Sequence, residues 1–232
     1  MSQTADVWVP IGLDAQVTAA SSNPVFVEEV SLALWRGEAK ADGSLPPVNV
    51  WDDRCPHRGM RLSHGFVKGE TLCCIYHGWG YQSGDGQCVH IPAHPDLTPP
   101  KTIQAKTYAS ESRYGIVWTN LAENPQTSVP EAGADHDWEP VRSLYVARSR
   151  AHTESLIRQH DFGDGVQAEA AGDGIFLVRR PEAILMLAVQ SVGPEKTGIH
   201  VVAAGDAIDP SVRSALASRM TVLRDAIEAA TN

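Results

Sequence analysis

Two cysteine–histidine pairs constrain this chain more than anything else in it. Cys55-Pro-His57-Arg-Gly is followed, with sixteen residues between His57 and Cys74, by Cys74-Ile-Tyr-His77-Gly-Trp. Two thiols and two imidazoles act together only if both segments are delivered to one place, so the fold must bring two loops to a common apex. Two metal chemistries take this donor set. A single Zn²⁺ accepts two cysteines and two histidines tetrahedrally. A [2Fe–2S] cluster takes two thiolates on one iron and two imidazoles on the other. A disulfide framework is the third use of four cysteines, and the length of 232 residues, the adjacent Cys73-Cys74 and an N-terminus without a signal-peptide pattern all speak against it.

The two-iron reading has a definite electrostatic consequence. With two thiolates the oxidised cluster is formally neutral, whereas four thiolates would leave it doubly negative, so an added electron meets less repulsion. The potential then falls at roughly −150 to +300 mV rather than about −400 mV. Each imidazole also keeps a second nitrogen for solvent or a partner, and its proton affinity rises when the iron is reduced.

The bulk composition sets the remaining bounds. A chain of 232 residues, 43% hydrophobic, buries a sizeable core as one large or two small domains. No apolar run approaches the roughly twenty residues of a membrane span, and Met1 to Asp14 lacks a basic stretch followed by an apolar one. The expectation is a cytoplasmic protein without a membrane partner. A net charge of −9 argues against nucleic acid as a general partner.

Along the chain, Val7 to Leu121 reads as many short strands divided by turn residues, with almost no helical periodicity. Strands are expected at Val25–Val30, Ser31–Arg36, Val48–Trp51, Thr71–Ile75, Lys101–Tyr108 and Gly115–Asn120. Ala41-Asp-Gly-Ser and Ser83-Gly-Asp-Gly supply turn glycines. Both ligand pairs then lie in loops leaving strands, where Gly59 and Gly78 let backbone amides come close to a cluster. Ala122 to Glu139 has little periodicity and reads as a linker. Beyond it, Val141–Ser149, Ile175–Arg179, Ala183–Ser191 and Gly198–Ala204 read as strands, with Ala183 to Val189 apolar enough to be buried on both faces. A final helix is capped by Asp209, opens on Pro210 and carries the stripe Val212, Leu216, Met220, Leu223 and Ile227.

The run Cys55-Pro-His-Arg-Gly-Met-Arg-Leu-Ser-His-Gly-Phe-Val, with Leu72-Cys-Cys-Ile-Tyr-His-Gly-Trp-Gly-Tyr and Gly86-Gln-Cys-Val-His-Ile-Pro92, resembles the Rieske domain of the ring-hydroxylating oxygenase and demethylase family. Trp8-Val-Pro and Tyr114-Gly-Ile-Val-Trp118 extend the likeness over about the first half of the chain. Rieske proteins of respiratory and photosynthetic complexes carry a further disulfide in the cluster loops. Met60 and Tyr76 stand where its cysteines would be, and Trp79 stands where those proteins place a serine that donates to a cluster sulfide. Losing that donor implies a potential toward the low end of the Rieske range, partly offset if Tyr81 reaches a cysteine sulfur. Cys73 and Cys88 are surplus thiols, read as small buried residues.

The resemblance implies a fold class that is mainly β, α+β overall: a Rieske iron–sulfur β-sandwich domain followed by a small domain of sheet plus C-terminal helix, resembling the end of a helix-grip fold. The expected division is 1–122, a linker at 123–140, and 141–232. It implies a [2Fe–2S] cofactor held by Cys55, His57, Cys74 and His77. Family oxygenases also hold a mononuclear Fe(II) by two histidines and a carboxylate. Here His136, His152, His160, Asp161 and Asp164 are the only raw material, and His152 and His160 would lie about 80° apart around a helix. Surface or capping roles suit them better, so no mononuclear Fe(II) is expected in this chain and no catalytic residue is assigned. Ile184-Leu-Met-Leu-Ala-Val-Gln, Gly198-Ile-His-Val-Val and the last helix resemble only the closing part of the family's catalytic domain.

Three functions follow. The first is an electron-transfer component that takes single electrons from a flavin or ferredoxin reductase and passes them to a mononuclear iron on a partner, a full-length oxygenase subunit, within an oligomer. The second is a compact self-sufficient oxygenase or demethylase with an atypical iron site. The third is a zinc-stapled interaction module without catalysis. The missing iron triad beside an intact cluster motif favours the first.

Overall fold

Short runs of β-branched and aromatic residues alternating with turn residues build most of this protein as antiparallel sheet. The computed structural model describes residues 6–132, 136–205 and 208–230. The first sheet uses β1 (Trp8–Leu13), β2 (Ser21–Val27), β3 (Val30–Arg36), β4 (Val48–Asp52), β9 (Thr107–Arg113) and β10 (Ile116–Asn120), in the order β1-β10-β9-β4-β3-β2. A smaller sheet follows chain order: β5 (Phe66–Lys68), β6 (Thr71–Cys73), β7 (Gly80–Gln82) and β8 (Cys88–His90). The third holds β11 (Glu139–Val146), β12 (Glu169–Gly172), β13 (Ile175–Arg179), β14 (Ile184–Gly193) and β15 (Lys196–Ala204), in the order β11-β15-β14-β13-β12. Two helices complete the chain, α1 (Arg150–Gln159) and α2 (Pro210–Ala229).

The period of two along β14 explains how the layers stack. Leu185, Leu187 and Val189 face one way, into a core shared with Leu216, Met220, Leu223 and Ile227 of α2. Met186 and Ala188 face the other way, toward Leu13 of β1 and Ile116 and Trp118 of β10. The third sheet is therefore buried on both faces, between the α2 layer and the first sheet. Separate cores fill the interior of the first sheet and the space beneath the small sheet.

Several boundaries differ from the sequence reading. The first hairpin turns at Glu28-Glu29 rather than at Val30-Ser31, and both glutamates have positive φ, 47° and 72°. That is the backbone of a primed two-residue turn, normally reserved for Asn or Gly. Here the strained amides are used: Glu28 and Glu29 N–H donate to the carbonyls of Ser191 and Val192 at 3.1 Å each, tying the hairpin to β14. The strand expected at Lys101–Tyr108 starts only at Thr107, because Pro99 and Pro100 lead into a turn. Residues 103–105 instead make single bonds to Gly86 and Cys88. The strand expected at Thr71–Ile75 stops at Cys73, where the chain turns into the second cysteine loop. The first strand beyond the expected linker spans Glu139–Val146 rather than Val141–Ser149. Ser149 instead caps a helix that the sequence reading does not contain: α1 buries only Thr153 and Ile157, too little for a visible apolar stripe. Of the expected linker, residues 133–135 lie outside the described residues.

Candidate metal centre

The loops that follow β4 and β6 are conformational twins. In the first, Cys55 N–H donates to Met60 C=O at 2.8 Å and Gly59 N–H to Cys55 C=O at 2.8 Å. In the second, Cys74 N–H donates to Trp79 C=O and Gly78 N–H to Cys74 C=O, both at 2.9 Å. Each loop therefore closes a five-residue bend on its cysteine, with a glycine four residues on at φ of 73° and 71°. The left-handed backbone favours glycine at both positions. At Gly78 a Cβ would also lie 2.9 Å from Pro92 Cγ, so any side chain would push the loop off the segment that follows β8.

This bend turns the cysteines inward and the histidines outward. Cys55 and Cys74 are 3% and 1% exposed and share a core with Trp35, Trp51, Leu62 and Leu72. The Cys55 thiol is near enough to Cys74 to help hold the Cys74 thiol protonated. His77 is exposed and His57 half-buried, with ring centroids 4.7 Å apart. Each imidazole is backed by an aromatic ring: Trp79 lies flat on His57 at 4.1 Å and 4°, and Tyr76 leans on His77 at 3.8 Å and 35°.

Polar groups surround the thiol pair. Tyr81 is fully buried with its hydroxyl 3.1 Å from Cys55 Sγ. Burial first, and then the bond to Cys55, push its ionisation well above the usual phenol range, which keeps it a hydrogen-bond donor at any ordinary pH. Burial also pushes the Cys74 thiol up, while the amides of Tyr76 and His77 donate to its sulfur and pull it back. Desolvation lowers His57, helped by the neighbouring His77 and Arg58. Asp53, 1% exposed, braces the first loop: it accepts from Ser63 N–H at 2.7 Å, from Ser63 Oγ at 2.8 Å and from Ser31 Oγ at 3.1 Å. Nothing in the sequence reading singled out Asp53 or the stacking role of Trp79.

The arrangement fits an asymmetric two-metal group. Two buried sulfurs with donors aimed at them suit an inner iron carrying thiolate charge, and two neighbouring surface imidazoles suit an outer one. Among the described residues, no three Cys, His, Asp or Glu side chains converge as a single-ion site requires. Cys73 and Cys88 are buried free thiols, outside both twin loops. Elsewhere the sequence-predicted residues do not come together. His152 sits on α1, and His160 caps its end with its ring against Phe162 at 4.8 Å. Asp161 accepts from the amides of Gly163 and Gly165, and Asp164 pairs with Arg180 at 3.6 Å. His136 lies at a separate open cleft of about 720 Å³ beside Asp137, Arg180 and Glu182.

Comparison with known proteins agrees with this geometry. Residues 7–108 match the Rieske [2Fe-2S] domain family. The oxidoreductase NdmD of Pseudomonas putida is 44% identical over 118 residues, covering 51% of this chain and 19% of that protein. The 3-chlorobenzoate-3,4-dioxygenase oxygenase subunit of Comamonas testosteroni is 39% identical over 119 residues, covering 50% and 26%. The chain thus spans about a fifth of the first of these relatives and a quarter of the second. Among solved structures, NdmA of Pseudomonas putida CBB5 superposes with a TM-score of 0.72 at 17% identity, over 97% of this chain and 81% of that one. The apo dicamba monooxygenase structure gives 0.69 at 17% identity, over 99% and 87%. At such identities the likeness is one of fold, and it runs through the third sheet as well as the first half. The chain carries a Rieske [2Fe–2S] domain over residues 7–108, and its relatives include, besides NdmD and the dioxygenase subunit, the methylxanthine N1-demethylase NdmA. Its cofactor is a [2Fe–2S] cluster, its fold is mainly β, and no helix among the described residues is long and apolar enough to cross a membrane.

Proposed function

We propose that Cys55 and Cys74 hold the inner iron of the cluster and His57 and His77 the outer one, and that the chain carries single electrons within an oxygenase system. In this reading a flavin or ferredoxin reductase supplies the electrons, and a mononuclear iron on a partner oxygenase subunit receives them. The single observation behind it is the twin-loop apex, with thiols buried and imidazoles at the surface. When bound, the cluster supplies reversible storage of one electron. The protein's own residues do the rest. Tyr81 and the amides of Tyr76 and His77 direct donors at the sulfurs, which favours the more negative state. The apolar core around Cys55 and Cys74 keeps water from them. The exposed edge of His77 and the half-buried one of His57 offer the short path to a partner.

The same reading divides the chain at 1–122, 123–140 and 141–232, supported by the gap between β10, ending at Asn120, and β11, starting at Glu139. It places the protein in the cytoplasm, where the two surplus thiols, Cys73 and Cys88, suit a reducing compartment. A self-sufficient oxygenase is the second reading, favoured by the fold likeness that continues through the third sheet. Iron and acid-labile sulfide analysis of anaerobically prepared protein separates the two. Two irons and two sulfides per chain are expected, with an imidazole-type mixed-valence signal after dithionite reduction. A third tightly held iron would favour the self-sufficient oxygenase, and absence of sulfide would overturn both.

A further inference from the structure

The two imidazoles at the apex are held in different ways, and the difference lies in which loop supplies the supporting ring. His77 is exposed, and its neighbour in the chain, Tyr76, leans on it at 35° while being 60% exposed itself. A support that belongs to the same loop and stands in water moves with the residue it supports. His57 belongs to the first loop, yet the ring on it comes from the second: Trp79 lies 4.1 Å away and parallel to within 4°. Trp79 is anchored at both ends. Its carbonyl closes the second bend by accepting from Cys74 N–H at 2.9 Å, and its indole packs on the core shared by Cys55, Cys74, Tyr81 and Trp51. The bend itself is seated on Pro92, since a Cβ added at Gly78 would come 2.9 Å from Pro92 Cγ. Met60 occupies the same station in the first loop, its carbonyl accepting from Cys55 N–H at 2.8 Å. The bend therefore closes with either residue, and the flat ring is an addition to it.

A histidine ring partly in water turns about its Cβ–Cγ bond over a broad range. Parallel contact with an anchored indole removes most of that range and sets the imidazole plane relative to Cys74 of the other loop. It also covers one face of the ring against water. Resting on the ligand assignment and the electron-transfer reading above, we propose that Trp79 is a positioning residue for the outer iron: its indole fixes the plane of His57 across the two loops and keeps water from one face of it. The His77 plane has no such restraint. The two imidazole nitrogens on the outer iron are therefore inequivalent, the His57 one narrowly defined and the His77 one broad. The reduced cluster, with one negative charge more than the neutral oxidised one, also sits in a drier shell than an open apex would give, which lowers its potential.

The test uses the full chain loaded with its cluster and reduced by dithionite, and reads the nitrogen couplings by pulsed electron–nuclear double resonance. His57→Cys, which leaves only the His77 nitrogen, tells the two apart. Trp79→Met gives the second loop the residue that the first already has at this station, so the bend is kept while the flat ring is lost. It is expected to shift and broaden the His57 coupling and to leave the His77 coupling as it was. The potential should rise by at least about threefold in the equilibrium with a mediator, about 28 mV at about 59 mV per decade. Trp79→Phe, with a smaller ring, should fall between the native protein and Trp79→Met, and Tyr76→Leu should leave the His57 coupling unchanged. Iron and sulfide content and thermal unfolding accompany each measurement. A role in packing alone would lower these while leaving the couplings and potential of the retained clusters where they were, and that outcome overturns the proposal. So does an equal shift of the His57 coupling in Tyr76→Leu. If Trp79→Met retains no cluster, Trp79→Phe decides: a shift of the His57 coupling supports the positioning role and none overturns it. A native protein whose reduced centre shows no nitrogen coupling at all would sink the ligand assignment itself, and the proposal with it.

Discussion

Replacing Tyr81 by phenylalanine removes one hydroxyl from a fully buried ring and leaves its packing with Trp35, Leu72 and Cys88 in place. The lost bond is the one to Cys55 Sγ at 3.1 Å, which stabilises thiolate charge more in the reduced state than in the oxidised one. A differential of about 0.5–1.5 kcal/mol for such a bond corresponds to a midpoint potential lower by about 20–60 mV, since about 59 mV is tenfold for one electron. Redox titration checks this, and an unchanged potential would remove Tyr81 from the centre. His57→Cys should keep a cluster but move its potential down toward the roughly −400 mV of all-thiolate centres. An unchanged potential there would count against His57 as a ligand. These residues were legible because their spacing along the chain is itself the signal: each cysteine and histidine belongs to one short bend. Asp53 and the Trp79–His57 stack were not, because an isolated Asp or Trp has no pattern, and their partners Ser31, Ser63 and His57 meet them only after folding.

Local signals decided which elements could be read. For α2, Asp209 accepts from the amides of Ser211 and Val212 at 2.7 and 2.9 Å, Pro210 follows it, and Leu216, Met220, Leu223 and Ile227 are all buried. Every part of that description lies within one segment, so the helix is foreseeable from 209 onward. The α1 helix has only two buried positions, and its stability comes from a cap and from Arg150 bridging Glu154 at 2.6 Å and Asp173 at 2.7 Å. The Glu28-Glu29 turn was equally hidden, because its strained backbone is held by β14, more than 160 residues away. Two substitutions test this account by thermal unfolding followed by circular dichroism. Asp209→Ala should cost about 1 kcal/mol, or about 2–4 °C for a chain of this size. Leu223→Ala, at the centre of the α2 face, should cost about 2–5 kcal/mol. Equal and small effects would mean that α2 does not close the core of the third sheet.

At the scale of the whole molecule, a buried polar chain joins the third sheet to the first. Gln190 Nε2 donates to Phe26 C=O at 2.6 Å, which leaves its Oε1 to accept from His200 Nε2 at 2.9 Å. The network thereby sets the neutral tautomer of His200, with Nδ1 accepting from Ser143 Oγ at 2.9 Å. In the sequence His200 sits inside an apolar run, Gly198-Ile-His-Val-Val, and reads as part of a buried strand; the chain of partners that satisfies it comes from β2, β11 and β14. Its ring is fully buried, and desolvation pushes its pKa down to about 4. The unfolded chain, with an ordinary histidine near 6.5, therefore binds a proton that the folded chain refuses. The stability from neutral His200 is complete above pH 6.5 and is lost as pH falls toward 4, at about 1.4 kcal/mol per pH unit and about 3 kcal/mol in all. Urea unfolding from pH 7 to pH 4 should show this slope in the native chain and lose it in His200→Gln, which retains a hydrogen-bonding side chain but does not titrate. If both proteins lose stability in parallel over that window, acid sensitivity belongs to other groups, and the contact between the sheets is not gated by this histidine.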